Sequence, residues 1–249
     1  MPKTTNIYRT DFDREATHLT RRLLRRARAD LAQRFSATLS VHGDFSAFAR
    51  VDRLGGYVFH AYHNDYSLGS RGCSILIRKG GRVVATYACC LYEGKPNMAE
   101  VIEQRGLYQD GTNDHLGFDL ETTRTWFEAM SGYAAFSGGI WVHPDTRGTD
   151  FSHTLVPLLP VLGRAIATEC WGADHVFALI PEAVMNKGVG SRYALSMTAP
   201  GIEWRHGEKR IPMWFGYHPP ILIMRDAIAF IATGMESLEL KSVEPKRVA

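Results

Sequence analysis

The sequence predicts an α/β protein with one mixed, mostly antiparallel central sheet that is flanked by helices and preceded by a helical N-terminal extension. Residues 73–93 contain two β-rich runs joined by Lys79-Gly80-Gly81-Arg82, which is a hairpin signal. Apolar runs at 132–143 and 174–180 enclose a helical pattern at 149–170. A hairpin followed by strand–helix–strand order indicates a single mixed sheet.

The remaining segments give a complete outline of one domain. An amphipathic helix is predicted over 12–35, where apolar residues recur at helical spacing after Asp and Glu residues. Further predictions are a strand at 56–63, a short helix from Pro96, a polar loop at 108–120, and helices at 121–130, 181–195 and 221–238, with a strand at 212–217. We therefore divide the chain into a helical extension (1–50), a catalytic or binding domain (51–239) and a tail (240–249).

Composition excludes several protein classes. Apolar residues make up 45% and charged residues 22% of the chain, as in an ordinary globular protein, and the net charge of +3 is too small to indicate nucleic-acid binding. No apolar run reaches the ~20 residues that a membrane helix needs, and the polar N-terminus is unlike a secretory signal. The four cysteines and the histidines show no metal-ligand spacing. We expect a cytoplasmic enzyme or binding protein without a metal.

The predicted N-terminal helix is rich in arginine. The simplest interpretation is a solvated face whose arginine stems pack over apolar surface. The alternative is an anionic partner, such as nucleic acid or an acidic carrier protein, although no RNA- or DNA-reading motif accompanies the cluster. The residues concerned are Arg21, Arg22, Arg25, Arg26 and Arg28.

The segment 138–159 places a loop between an apolar strand and an amphipathic helix. Backbone N–H groups and the positive end of the helix meet there, which suits a phosphate. Its core, IWVHPDTRG (140–148), resembles the acyl-CoA pyrophosphate-binding segment of the GNAT superfamily of N-acyltransferases, in which a strand ends in V-x-P before Q/R-x-x-G-x-G/A. Asp150 and Ser152 stand where that family usually has glycine.

This resemblance implies a GNAT-like fold, with acetyl-CoA or a longer acyl-CoA as co-substrate. It also implies that the strand ending at Val142 opens away from the strand at 174–180. The residues that it assigns to the co-substrate are Trp141, Val142, Arg147, Gly148, Thr149, Asp150, Phe151, Ser152 and Asn186.

A second motif follows about 40 residues later. Asn186 and Tyr193 have the spacing of the GNAT helix in which the tyrosine hydroxyl protonates the departing CoA thiolate. A phenol held within hydrogen-bond reach is a reasonable donor. Glu93, at the end of the hairpin, is the candidate base for the attacking amine. No G-x-S-x-G elbow or Ser–His–Asp order is present, which disfavours covalent catalysis.

The expected function is transfer of an acyl group from acyl-CoA to an amine of a small molecule or peptide by direct attack. Two alternatives stay open. One is an N-acyl amino acid or signal-molecule synthase that takes its acyl chain from acyl carrier protein, whose acidic surface would suit the arginine-rich helix. The other is a non-catalytic binding module with the same fold. A homodimer is also left open.

Overall fold

Eight strands form one sheet in the part of the chain that the computed structural model describes, residues 16–46, 48, 70–94, 97–104, 107, 115–206 and 208–239. The strands are β1 (Ala37–His42), β2 (Arg71–Lys79), β3 (Arg82–Gly94), β4 (His115–Phe118), β5 (Gly132–Val142), β6 (His175–Pro181), β7 (Met197–His206) and β8 (Lys209–Tyr217). Their order across the sheet is β1-β2-β3-β5-β6-β8-β7-β4. Within this sheet β5 and β6 pair in parallel, and the other pairings are antiparallel. The predicted mixed, mostly antiparallel sheet is confirmed.

Helices cover both faces of the sheet. They are α1 (His18–Phe35), α2 (Met98–Glu103), α3 (Glu121–Glu128), α4 (Asp150–Trp171), α5 (Glu182–Met185), α6 (Val189–Arg192), α7 (Pro220–Thr233) and α8 (Glu236–Glu239). One hydrophobic cluster joins α1, α4 and α7 to the sheet, and a second joins α2 and α3 to the opposite face. The central strands therefore carry buried apolar side chains on both faces of the sheet. This explains why the sequences of β2 and β3 are nearly continuous apolar runs.

The β2–β3 hairpin turns where the sequence predicts it. Gly80 (φ 56°) and Gly81 (φ 76°) both have positive φ, as a two-residue type I′ turn requires. Glycine adopts these angles without the clash that a Cβ would cause. The turn places Lys79 and Arg82 beside each other at one end of the sheet.

The arginine-rich helix α1 is confirmed, but it begins at His18, later than the predicted start at residue 12. The side chain of Thr17 caps the helix start by accepting from the amide of Thr20, and Ser36 ends it in the left-handed conformation. Leu23, Ala27 and Leu31 are buried against α4 and β1. Most of the arginines lie on the exposed side, as expected for a solvated face.

Some segments differ from the predictions. The proposed helical extension (1–50) contains β1, which pairs with β2, so this part of the chain contributes to the sheet. The predicted loop 108–120 contains β4, whose four residues bury little besides Leu116 and so show no clear alternation. The strand β7 was missed because Pro200 and Gly201 interrupt its pattern at a register shift. The strand predicted at 56–63 and the tail lie outside the described residues.

Two predicted helices are broken by glycine. The segment 181–195 forms α5 and α6, separated at Gly188 (φ 71°). The segment 221–238 forms α7 and α8, separated at Gly234 (φ 66°). A left-handed glycine is a common helix terminator, so each pattern that reads as one helix ends early. None of the helices in the described ranges is long and apolar enough to cross a membrane.

Gly163 lets α4 approach β3 closely. A Cβ at this position would collide with the ring of Tyr87, which is fully buried. Overpacking costs about 1–3 kcal/mol, whereas alanine gains about 1 kcal/mol over glycine in a helix. We therefore expect Gly163→Ala to lower the free energy of unfolding by up to about 2 kcal/mol in urea titrations.

Gly117→Ala is the matched control, since its added Cβ would meet no atom within 4 Å and its φ is not positive. This variant should unfold at nearly the wild-type urea concentration. A wild-type midpoint for Gly163→Ala would mean that Tyr87 yields freely, and the close approach would then impose no constraint.

Candidate active site

The parallel strands β5 and β6 separate after a short junction. They pair through Ala134–Phe136 and His175–Phe177, and the Ser137 hydroxyl donates to the Phe177 carbonyl at 3.1 Å where the ladder ends. Beyond that point β5 stays paired with β3 as far as Val142, while β6 stays paired with β8. The facing edges, residues 137–142 and 178–181, therefore border a gap, which we call the interstrand cleft.

A β-bulge bends β5 along this cleft. The register with β3 shifts between Thr86 and Ala88, and Gly139 on β5 has a φ of 62°. The buried Thr86 hydroxyl donates to the Gly139 carbonyl at 3.0 Å. Bulges re-aim backbone groups and are frequent beside active sites. Gly138-Gly139 within an apolar strand is the sequence signal that could have located it.

The loop after β5 leads directly into α4. Val142 is followed by a turn of 3₁₀-helix (Pro144–Thr146), Gly148 with a φ of 75°, and the N-cap residue Thr149. The first amides of a helix lack intrahelical partners and lie at the positive end of the helix dipole. The amides of Gly148, Asp150 and Phe151 make no hydrogen bond within the described residues. This arrangement can accept an anion.

The hydroxyls of Thr149 and Ser152 are engaged in a reciprocal capping box. The Thr149 hydroxyl accepts from the Ser152 amide at 3.3 Å, and the Ser152 hydroxyl accepts from the Thr149 amide at 3.2 Å. Ser152 is also buried. The two side chains thus fix the helix start, and the sequence motif contributes to the loop through its backbone.

The charged residues of the loop are exposed and do not pair with each other. The Nε of Arg147 donates to the Val142 carbonyl at 2.9 Å, so the arginine folds back over the end of β5. Within the described residues Arg147 forms no ion pair with Asp150. The carboxylate of Asp150 therefore lies beside the helix start without a cation from this arginine to offset it.

Trp141 and His143 lie at the end of β5. Their rings contact edge to face, with centroids 5.5 Å apart. The Nδ1 of His143 accepts from the Asp145 amide at 3.2 Å, so this side chain fixes the turn after the strand. Val142, between the two rings in sequence, is buried.

Three cations from other elements surround the loop, and sequence reasoning did not assign them to it. The Lys79 amine lies 5.2 Å from the ring centroid of Phe151, and that ring packs against Phe35 at 4.8 Å. Arg82 pairs with Asp145 of the loop at 3.2 Å. Arg34 lies over Phe35. The hairpin turn and the end of α1 therefore place positive charge around the loop. The side chain of Phe151 packs between these elements.

Tyr193 follows α6 and is held by α4. The Nη1 of Arg164 donates to the Tyr193 carbonyl at 2.7 Å and to the Ala194 carbonyl at 3.2 Å. Burial raises the pKa of Tyr193 to about 12, although the nearby Arg164 charge lowers it. Tyr193 is accordingly protonated at neutral pH. Asn186 is exposed at the end of α5 and is separated from Tyr193 by the break at Gly188.

Glu93 is exposed and lies far from the phosphate loop. Its register partner on β5 is Tyr133, nine residues before Val142, which corresponds to about 30 Å of strand. Tyr133 is three residues, or about 10 Å, before the end of the β5–β6 ladder at Phe136. The structure therefore places Glu93 and the loop toward opposite ends of β5.

Comparisons with known proteins return similarities to solved structures. No protein-family model and no curated protein matches the chain. NAA60 from Arabidopsis thaliana, solved with acetyl-CoA, is 10% identical and has a TM-score of 0.41, with 73% of this chain and 98% of that chain covered. FeeM, an N-acyl amino acid synthase from uncultured soil microbes, is 11% identical with a TM-score of 0.39, covering 84% and 89%. An acetyltransferase of the GNAT family from Streptococcus pneumoniae is 7% identical with a TM-score of 0.39, covering 73% and 98%.

The structure has the mixed, mostly antiparallel sheet that the sequence predicts. This sheet, the opening between β5 and β6 and the loop leading into α4 are the features that the sequence resemblance implied. At these identities and TM-scores the similarity assigns neither a family nor an activity to the chain. No group of three or more His, Cys, Asp and Glu side chains within the described ranges could hold a metal ion.

Proposed function

We propose that the protein transfers an acyl group from acetyl-CoA or a longer acyl-CoA to an amine of a small molecule or peptide. The observation that carries this proposal is the interstrand cleft, whose β5 side leads without interruption into the anion-accepting start of α4. Acyl-CoA has a pyrophosphate and an acyl end that are separated by an extended arm. Its site therefore needs an anion-accepting loop and an open strand edge that follow one another along one line.

The backbone supplies most of the binding in this proposal. The amides of Gly148, Asp150 and Phe151 receive the pyrophosphate, and Lys79 and Arg82 add positive charge nearby. The extended arm lies along the open edge of β5. Backbone N–H groups on this edge, next to the bulge at Gly139, polarise the thioester carbonyl and stabilise the oxyanion.

The reaction is a direct attack in a ternary complex. A neutral amine forms the new N–C bond at the thioester carbon, the C–S bond breaks, and its electron pair leaves with the sulfur. The amine loses a proton to a base, and Tyr193 donates a hydrogen bond to the departing sulfur. Glu93 stays a prediction for the base. This role requires the amine to enter from the end of the sheet at which Glu93 pairs with Tyr133, at the start of β5.

The protonation of Tyr193 defines what it can do. With a pKa of about 12 the phenol holds its proton at neutral pH. A free thiol has a pKa of about 8.5, so complete proton transfer from Tyr193 to the thiolate would be uphill by roughly 3.5 units. We therefore assign Tyr193 the stabilisation of the developing thiolate by a hydrogen bond, with the proton finally supplied through solvent.

A carrier-protein donor is the second candidate. The cations Arg34, Lys79 and Arg82 around the loop, together with the exposed arginines of α1, favour an acidic partner such as acyl carrier protein. The phosphopantetheine arm of such a donor would enter the same cleft. Binding measurements with acyl-CoA and with acyl carrier protein distinguish the two donors.

Thermal unfolding with candidate donors tests the proposal. A ligand that binds the folded state alone stabilises it by RT ln(1 + [L]/Kd), which is about 2.7 kcal/mol at one hundred times Kd. We expect acetyl-CoA or a longer acyl-CoA to raise Tm, and calorimetry to give a matching Kd. An effect of acyl carrier protein alone would select the second donor. If no thioester raises Tm or binds, the protein is a non-catalytic module with this fold.

A further inference from the structure

Arg164 is a buried arginine in the middle of α4 that the sequence analysis did not single out. Its exposed fraction is 3%, and its Nη1 donates to two consecutive carbonyls, those of Tyr193 and Ala194. A guanidinium taken out of water must recover its lost hydrogen bonds from the protein. Arg164 recovers two of them from the single turn that follows α6.

That turn has little else in its own segment to hold it. The helices α5 and α6 have four residues each, too few to be stable by themselves, and Gly188 separates them. Ala194 has a φ of 49°, in the left-handed region that a residue with a Cβ disfavours. A sterically disfavoured turn persists when its surroundings fix it, and the contact from Arg164 crosses about 30 residues of sequence to do so.

Arg164 also acts electrostatically on two buried phenols. Its charge lowers the pKa of both Tyr193 and Tyr87 against the opposing effect of burial, so it is within electrostatic reach of both phenols. Ser137, where the β5–β6 ladder ends, acts on Tyr87 in the same direction. Arg164 therefore lies close to the turn at Tyr193, and its neighbour Gly163 lies against the ring of Tyr87.

A buried polar pair shares a small void with Arg164. His218 and Asp226 are 3.1 Å apart, both are buried, and they line one small void together with Arg164, Val161 and Ile223. Asp226 also accepts from Arg225, whose Nε and Nη2 lie 3.3 and 3.2 Å from its Oδ1. Arg164 therefore lies beside a buried polar pair while its Nη1 bonds to the turn.

We propose that Arg164 is a positioning residue for acyl transfer, which fixes the main chain at Tyr193–Ala194 and so sets the position of the Tyr193 phenol. This inference rests on the proposed function, in which Tyr193 assists the departure of the thiolate. It predicts that Arg164 acts on the reaction through Tyr193.

Kinetics of single and double variants test that dependence. Arg164→Gln keeps a neutral donor and loses the charge, and it should lower kcat about 10- to 100-fold with little change in KM, since small misplacements of a reacting group can cost about 100-fold. Arg164→Lys keeps the charge and one donor, and should recover part of the loss. In a Tyr193→Phe background, Arg164→Gln should cause no further loss of kcat. If the losses of kcat from Arg164→Gln and Tyr193→Phe multiply in the double variant, the inference is overturned and the proposed function stays intact.

A spectroscopic measurement tests the positioning role of Arg164 separately from the proposed role of Tyr193, because it does not depend on enzymatic activity. Difluorotyrosine at position 193 should give one sharp ¹⁹F resonance in the otherwise wild-type chain, and ring fluorines bring the phenol pKa into an accessible range. Arg164→Gln should broaden or split this resonance and raise the pKa of the labelled phenol, and Arg164→Lys should do so less. An unchanged spectrum in Arg164→Lys and Arg164→Gln would overturn the inference. A changed spectrum with no effect of Tyr193→Phe on kcat would instead refute the stabilisation of the thiolate by Tyr193 and would leave Arg164 with a purely structural role.

Discussion

Tyr193→Phe should lower kcat by roughly 10²- to 10³-fold, the usual cost of removing one preorganised hydrogen-bond donor to a developing negative charge. The substitution removes one hydroxyl, so acyl-CoA affinity measured by calorimetry should stay at the wild-type value. The expected loss comes from the thiolate, whose developing charge would no longer be met by a hydrogen bond from the phenol. Because burial raises the pKa of Tyr193 to about 12, this residue should add no alkaline decline to the wild-type rate below pH ~10.

The leaving group provides the control for Tyr193. A thioester of an acidic thiol departs readily without assistance, so the difference between wild type and Tyr193→Phe should shrink with such a donor. If Tyr193→Phe turns over acyl-CoA at the wild-type rate, with circular dichroism unchanged, Tyr193 is a packing residue. Stabilisation of the thiolate then falls to solvent or another side chain.

Gly148→Glu should weaken acyl-CoA binding by about 10- to 1,000-fold. The new carboxylate would stand beside the amides that receive the pyrophosphate, and like charges about 4 Å apart repel by roughly 1–4 kcal/mol near a protein surface. The added Cβ would meet no neighbouring atom, so the effect is not one of crowding in the free protein. Calorimetric Kd values for acetyl-CoA measure it directly.

Gly148→Asn is the matched control for this change. Gly148 has a φ of 75°, which asparagine tolerates better than most residues, and the amide carries no charge. Glutamate is the more strained of the two at this angle, so Gly148→Glu should lose more stability than Gly148→Asn, and Kd is compared at a temperature at which both variants are folded. A large difference in Kd is expected. Equal Kd values for the two variants would place the pyrophosphate away from this loop.

The sequence was most informative where residue type dictates backbone geometry. Gly80-Gly81 located the hairpin, and the apolar runs around 132–143 and 174–180 located the parallel pair. Local patterns were weaker where pairing partners decide the outcome. The short edge strand β4 and the bulged strand β7 form because neighbouring strands complete their hydrogen bonds, and that information lies far away in sequence.

The candidate site shows the same division. The motif from Trp141 to Ser152 located the loop, because a strand end and a helix start are adjacent in sequence. Lys79 reaches the site from the β2–β3 hairpin, and Arg164 acts from the middle of α4. An arginine within an otherwise apolar helix was a visible anomaly that could have directed attention to a buried carbonyl partner. Nothing in the spacing of Lys79 could have indicated that it packs on Phe151.

The junction of β5 and β6 has a mechanical consequence. Within the described sheet, its two halves are joined along the backbone by three register positions, Ala134–Phe136 against His175–Phe177. Past this seam their spacing is governed by side chains, chiefly those of α4, which spans the face of both halves. Side-chain contacts can slide or repack in small steps, whereas a ladder hydrogen bond is either made or broken. The two halves of the sheet can therefore move apart around a bulkier ligand without losing any backbone hydrogen bond, with the three paired positions acting as a hinge.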